Sequence, residues 1–107
     1  MDELNLFNYT DYRKYIHDYL TFNTHIKTWQ DYSDFLGMPY NSFLIDIKNG
    51  NKNLSEKYVH KFADRYNFDF DEHNYWRALV GENDSPCELG KTFYRSMMDM
   101  VKSAVTV

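Results

Sequence analysis

The side chains with the most chemical potential in this chain are four histidines, one cysteine, a run of acids and a stretch rich in amide, hydroxyl and ammonium groups. His17, His25, His60 and His73 have no HExxH spacing and no neighbouring ligands in pattern, so no metal site follows from them. Cys87 is alone, which excludes an intrachain disulfide and a cysteine-based zinc site. It reads as a plain buried or rim cysteine. Asp69, Asp71 and Glu72 suit the dipole-favoured start of a helix better than a catalytic pair. The four glycines are scattered, and a phosphate-cradling loop needs several in register. No catalytic residue and no cofactor is expected.

The remaining stretch is more informative. Tyr40, Asn41 and Ser42 are followed by Ile45, Lys48, Asn49, Lys52 and Lys57. Asparagine can bond an adenine edge at two points, serine can donate or accept, and an apolar group can meet a thymine methyl. Lys48, Lys52 and Lys57 suit phosphates. Asp46 lies near the same surface and is repelled by phosphate, unless it accepts from cytosine or pairs with Lys48.

These groups need elements to hold them. Tyr12, Tyr15, Ile16, Tyr19 and Leu20 recur at helical spacing, predicting a helix from about Asp11 to Phe22 with Thr10 as N-cap. Thr28 caps a second, with Trp29, Tyr32, Ser33 and Leu36, ending at Gly37. The third runs from about Pro39 to Lys48, Pro39 in its first turn and Tyr40, Phe43, Leu44 and Ile47 on its buried face. Asn49-Gly50-Asn51-Lys52-Asn53 is turn chemistry, with Gly50 at positive φ. Ser55 opens a fourth helix carrying Tyr58, Val59, Phe62, Ala63 and Tyr66. Asp69 to Asp71 start a fifth, with Tyr75, Trp76, Leu79 and Val80, followed by a loop at Gly81-Glu82-Asn83-Asp84. Ser85-Pro86-Cys87-Glu88 reads as a capping box opening a sixth. Its apolar stripe is Leu89, Phe93, Met97, Met100, Val101 and Ala104, widened by Met98 and Val105. Nothing alternates with period two, so no sheet is expected.

Composition agrees with a single packed domain. At 107 residues, 43% hydrophobic and 19% aromatic, the chain has material for one core and is too aromatic for disorder. No apolar run reaches membrane-spanning length. The start, Met1-Asp2-Glu3-Leu4, is unlike a secretory signal, so a cytoplasmic setting is expected. The net charge of −4 counts against a nucleic-acid binder. Its distribution is uneven: residues 28–61 sum to zero and residues 62–107 to −3, leaving a basic edge at Lys48, Lys52, Lys57 and Lys61.

Two short helices joined by a tight glycine turn, over about residues 28–48, carry the signature of a helix-turn-helix. The spacing from residue 7 to 80 also resembles a family of predicted bacterial two-domain transcriptional regulators with an N-terminal Cro/repressor-like helix-turn-helix. The matching residues begin with Phe7, Asp11, Tyr12 and Arg13, then Tyr32, Ser33, Gly37 and Leu44. They continue through Gly50-Asn51-Lys52-Asn53-Leu54-Ser55, Lys61-Phe62-Ala63 and Glu72-His73-Asn74-Tyr75-Trp76-Arg77-Ala78-Leu79-Val80. The chain departs from that pattern in having Asn51-Lys52 for a Lys-Arg pair and a displaced proline at Pro39, and the family's long C-terminal domain is missing or cut off.

The expectation is therefore an all-α protein, a compact bundle of five to six helices containing a helix-turn-helix, with residues 1–107 a single domain. The expected function is sequence-specific binding of double-stranded DNA as a non-catalytic transcriptional regulator, the helix of residues 86–104 serving as a homodimer seam. The alternative is a protein-protein interaction module on the same scaffold, binding a protein partner through an acidic, tyrosine-rich surface. No membrane partner is expected.

Overall fold

Places where the backbone turns left-handed decide where this chain changes direction. The computed structural model describes residues 4–105, and the acidic start Met1-Asp2-Glu3 lies outside them. A 3-10 turn, Leu6–Asn8, precedes six helices: α1 (Tyr12–Phe22), α2 (Trp29–Leu36), α3 (Asn41–Lys48), α4 (Glu56–Arg65), α5 (Phe70–Asp84) and α6 (Glu88–Val105). The described residues contain no strand. α2, α3 and α4 end alike, with Gly37, Gly50 and Asn67 at φ of 73°, 85° and 61°. Glycine enters that region freely, and asparagine tolerates it better than most residues. The next amide then reaches back over the turn: Met38 N to the Ser33 carbonyl (2.9 Å), Asn51 N to Asp46 (2.8 Å) and Phe68 N to Ala63 (3.0 Å).

α5 is the centre of the bundle. Tyr75, Trp76, Ala78, Leu79 and Val80 are all buried, because α6 lies along one side while α1, α4 and the 3-10 turn cover others. Around Trp76 the rings of Tyr12, Tyr15 and Tyr66 meet it edge-on at 5.7–5.9 Å between centroids. The polar tips are satisfied. Trp76 Nε1 donates to the Val59 carbonyl (3.1 Å), Tyr32 Oη to the Ile16 carbonyl (2.8 Å), and the hydroxyls of Tyr32 and Tyr66 lie 2.6 Å apart. Burial pushes the Tyr12, Tyr15, Tyr32 and Tyr66 phenols well above their ordinary value. Burial and a hydrogen bond to Asp18 push Tyr9 up to about 12. Of the ten tyrosines Tyr12, Tyr15, Tyr32, Tyr66 and Tyr75 are buried, Tyr9, Tyr19, Tyr58 and Tyr94 are partly buried, and Tyr40 is exposed.

Five local expectations are corrected. The cap of α1 is Asp11, whose carboxylate accepts from Arg13 N, and not Thr10. α3 starts at Asn41: Met38 is drawn into the core after the Gly37 turn, and Tyr40 is extended at φ −162°, so Pro39 precedes the helix. Tyr40 is 52% exposed and leaves the buried face to Leu44 and Ile47. Gly81 to Asp84 are helical, because the Asn83 side chain accepts from Tyr12 N (2.9 Å) and donates to the Thr10 carbonyl (3.0 Å), tying the end of α5 to the start of α1. Gly81 also lets α6 approach, since a Cβ there would lie 2.6 Å from the Tyr94 ring. The capping box is at Asp69 and Glu72, not at Ser85 and Glu88. Ser85 terminates α5, and the first turn of α6 closes on Cys87, whose sulfur accepts from Gly90 N at 3.4 Å.

α6 is only half docked. Met98 is buried, Tyr94, Met97 and Val101 are partly buried, but Leu89 is 83%, Phe93 61% and Met100 72% exposed. Its apolar residues cover an arc wider than the one α5 can receive. No helix among the described residues is long and apolar enough to cross a membrane.

Candidate nucleic-acid interface

α2 and α3 pack on each other around a turn from Gly37 to Tyr40. Ser33 is fully buried with its hydroxyl unpartnered, a small residue at a close helix contact. Met38 and Leu36 fill the space beneath the turn, and a Cβ on Gly37 would lie 2.6 Å from Lys61 Cε and 3.5 Å from Arg65. Two cationic side chains of α4 therefore border the turn.

Leu44 and Ile47 anchor α3, which turns Ser42 and Asn49 outward and leaves Ile45, and Asn41 at its first position, half-buried. The side chains of Asn41, Ser42 and Asn49 have no intramolecular hydrogen bond, as is true of Asn8, Asn51, Asn67 and Asn74, whereas Asn5, Asn23, Asn53 and Asn83 are engaged in local structure. No side chain caps the N-terminus of α3. Tyr40, at that N-terminus, meets the Phe43 ring at 6.0 Å, and Phe43 meets Tyr58 of α4 at 5.6 Å.

The lysines follow these rings. Lys52 Nζ is 4.6 Å from the Phe43 centroid, Lys57 and Lys61 are 5.5 and 5.9 Å from that of Tyr58, and Lys48 is 5.3 Å from that of Trp29. None of the four is ion-paired. Arg13, Lys14, Arg77 and Arg95 elsewhere each face a carboxylate within 4 Å. Asp46 is half-buried without an ion pair, since Lys48 goes to Trp29 instead of to it. The fold thus brings Tyr40, Asn41, Ser42, Ile45, Lys48, Asn49, Lys52 and Lys57 onto α3 and its borders. With Lys61 of the expected basic edge, it adds Trp29, Phe43 and Tyr58, which helical spacing assigned to the core, and Arg65, which the sequence left aside.

One residue fixes this face to the rest of the molecule. Arg13 Nε donates to the Ile47 carbonyl (2.9 Å), and its Nη2 reaches the Lys52 carbonyl (3.3 Å), Asn53 Oδ1 (3.2 Å) and Asp84 Oδ1 (3.1 Å). Asp84 in turn accepts from Tyr12 Oη (2.8 Å) and Leu54 N (3.3 Å). The end of α3, the loop bearing Lys52 and the end of α5 therefore share one clamp.

The other chemical groups are dispersed, with one exception. His25 is exposed, His17 borders Asp18 at 3.3 Å, and Cys87 is exposed. His60 Nδ1 and His73 Nε2, thirteen residues apart in sequence, lie 3.1 Å from each other. No group of three or more His, Cys, Asp or Glu among the described residues is arranged to hold a metal.

No known protein family, no curated protein and no solved structure matches the chain. The residues that carry the resemblance noted above are parts of the scaffold itself. Asp11 caps α1, Arg13 clamps the loop, Gly50 turns it, Leu54 is buried and Ser55 precedes α4. Such residues report how the chain folds more directly than what it binds.

Proposed function

We propose that this chain is a sequence-specific DNA-binding transcriptional regulator without catalytic activity, working in the cytoplasm, with α2, its turn and α3 forming a helix-turn-helix. The observation that carries the reading is the gathering of unpaired polar and cationic groups around α3. Lys48, Lys52, Lys57 and Lys61 around α3 rest on aromatic rings without an acid, and Arg65 beside the turn is also without one, whereas Arg13, Lys14, Arg77 and Arg95 face carboxylates. On α3 itself Asn41, Ser42 and Asn49 keep their hydrogen-bonding groups unused. That combination suits phosphate contacts flanking a helix that reads base edges in a major groove. Asp46 sets a selective element within it, repelling phosphate generally and accepting from cytosine N4.

Selection from random duplexes at low salt tests this directly. A defined sequence should be enriched, and Asn41→Ala should weaken binding to it by about 1–3 kcal/mol while relaxing preference at one position. A pool that emerges without enrichment overturns the reading.

A second element of the proposal is homodimerisation through α6, which the exposure of Leu89, Phe93 and Met100 supports. Helix-turn-helix readers commonly bind paired half-sites as symmetric dimers. The seam then runs along the Leu89–Phe93–Met100 side, and not through Met97 and Val101, which lean on the protein's own core. The interaction-module alternative has fewer tyrosines to present, since Tyr12, Tyr15, Tyr32, Tyr66 and Tyr75 are buried.

A further inference from the structure

We propose that His60 and His73 form a two-point clip for a divalent transition-metal ion of the class that favours imidazole, joining α4 to α5. His60 Nδ1 and His73 Nε2 are 3.1 Å apart with their rings inclined at 58°. An ion about 2.05 Å from each nitrogen would see them at an angle of about 98°, between the octahedral and tetrahedral values. Both rings border an open cavity of about 260 Å³ shared with Phe68, Asp69, Asn74 and Arg77, which gives water access to the remaining coordination positions. The other nitrogen of His60 faces Glu56 Oε1 at 3.9 Å, one helical turn back. At that distance the carboxylate makes no hydrogen bond, but its charge favours a proton on that nitrogen and so a lone pair on Nδ1.

Neighbouring charges do not oppose the ion strongly. Arg77 is 3.6 Å from the same Glu56 oxygen, and the Asp69 carboxylate accepts from Glu72 N as the cap of α5. Without metal, the hydrogen bond between the rings needs a proton between the two nitrogens. With metal, the ion lies beside the line joining the two nitrogens, each ring turns its lone pair toward it, and the proton moves to the other nitrogen of its ring or to solvent. No bond to carbon changes and no electron is transferred. Two imidazoles completed by water bind copper more tightly than nickel or zinc.

The test uses the whole chain, tag-free and stripped with chelator, titrated separately with copper, nickel and zinc chlorides by calorimetry and by thermal unfolding. One equivalent should bind, and the melting temperature should rise as the ion selects the folded state. His60→Gln and His73→Gln should each weaken binding by at least about tenfold. In the unaltered protein, ring resonances of His60 and His73 should move with zinc while those of His17 and His25 stay, a measurement independent of how the variants fold. Absence of saturable binding below about 1 mM, undiminished binding by either variant, or zinc shifts confined to His17 or His25 each overturn the proposal.

Discussion

Gly50 shows what a single backbone position contributes here. At φ 85° it has open space, with only Arg13 Nε near a would-be Cβ at 3.9 Å, so the demand for glycine is conformational and not steric. Gly50→Val should lower stability by more than about 1 kcal/mol, and Gly50→Asn by clearly less, since Asn67 already holds such a conformation. Urea titration measures both, and an unchanged midpoint for the valine variant contradicts the account. Arg13 makes the complementary case. Arg13→Lys keeps the charge but loses the fork reaching Ile47, Lys52, Asn53 and Asp84, and should cost about 1–3 kcal/mol. Full stability in that variant would remove the clamp from the argument. The glycine was legible in the sequence because turn chemistry is local. The arginine was not, because its partners lie 34 to 71 positions away.

Among the elements, the helices were legible by periodicity and their ends were less so. α2 begins after Thr28 and ends at Gly37 as the sequence predicts, because both cap signals act within one turn. α5 runs four residues past its expected end because Asn83 and Asp84 bind residues near the other end of the chain, which no local rule detects. Ser85-Pro86-Cys87-Glu88 had the form of a capping box and lost it to the competing demand of closing α5. α6 shows the same limit: its apolar stripe was visible, but which half docks depends on α5. Leu89→Glu with Phe93→Glu should therefore leave the helical circular dichroism and melting temperature nearly unchanged, while Met98→Lys should unfold the domain. If α6 is a subunit seam, sedimentation should show a dimer in the unaltered protein and a monomer in the double variant. A monomeric unaltered protein at high concentration ends the dimer proposal.

For the molecule as a whole, the aromatic core predicts its response to alkali. The buried phenols titrate above their ordinary value near 10 in the folded state, mainly through burial. Their contribution is fully present below the unfolded value and is lost as pH rises toward the folded ones. Denaturation midpoints should hold up to about pH 9.5 and fall steeply above about pH 10, with tyrosinate absorbance rising as the fold is lost. A flat midpoint through pH 12 would mean the rings are not buried as described. Of the candidate interface, the lysines were legible in the uneven charge distribution, but the Trp29, Phe43 and Tyr58 rings beneath them were not, because helical spacing assigns rings to the core. The central claim is that these lysines meet phosphate, and the salt dependence of duplex binding measures it most directly. For the best sequence from selection, log affinity should fall linearly with log salt, and Lys52→Ala should reduce that slope by about one unit while weakening every duplex alike. An unaltered slope in Lys52→Ala, or an affinity indifferent to salt, contradicts the account.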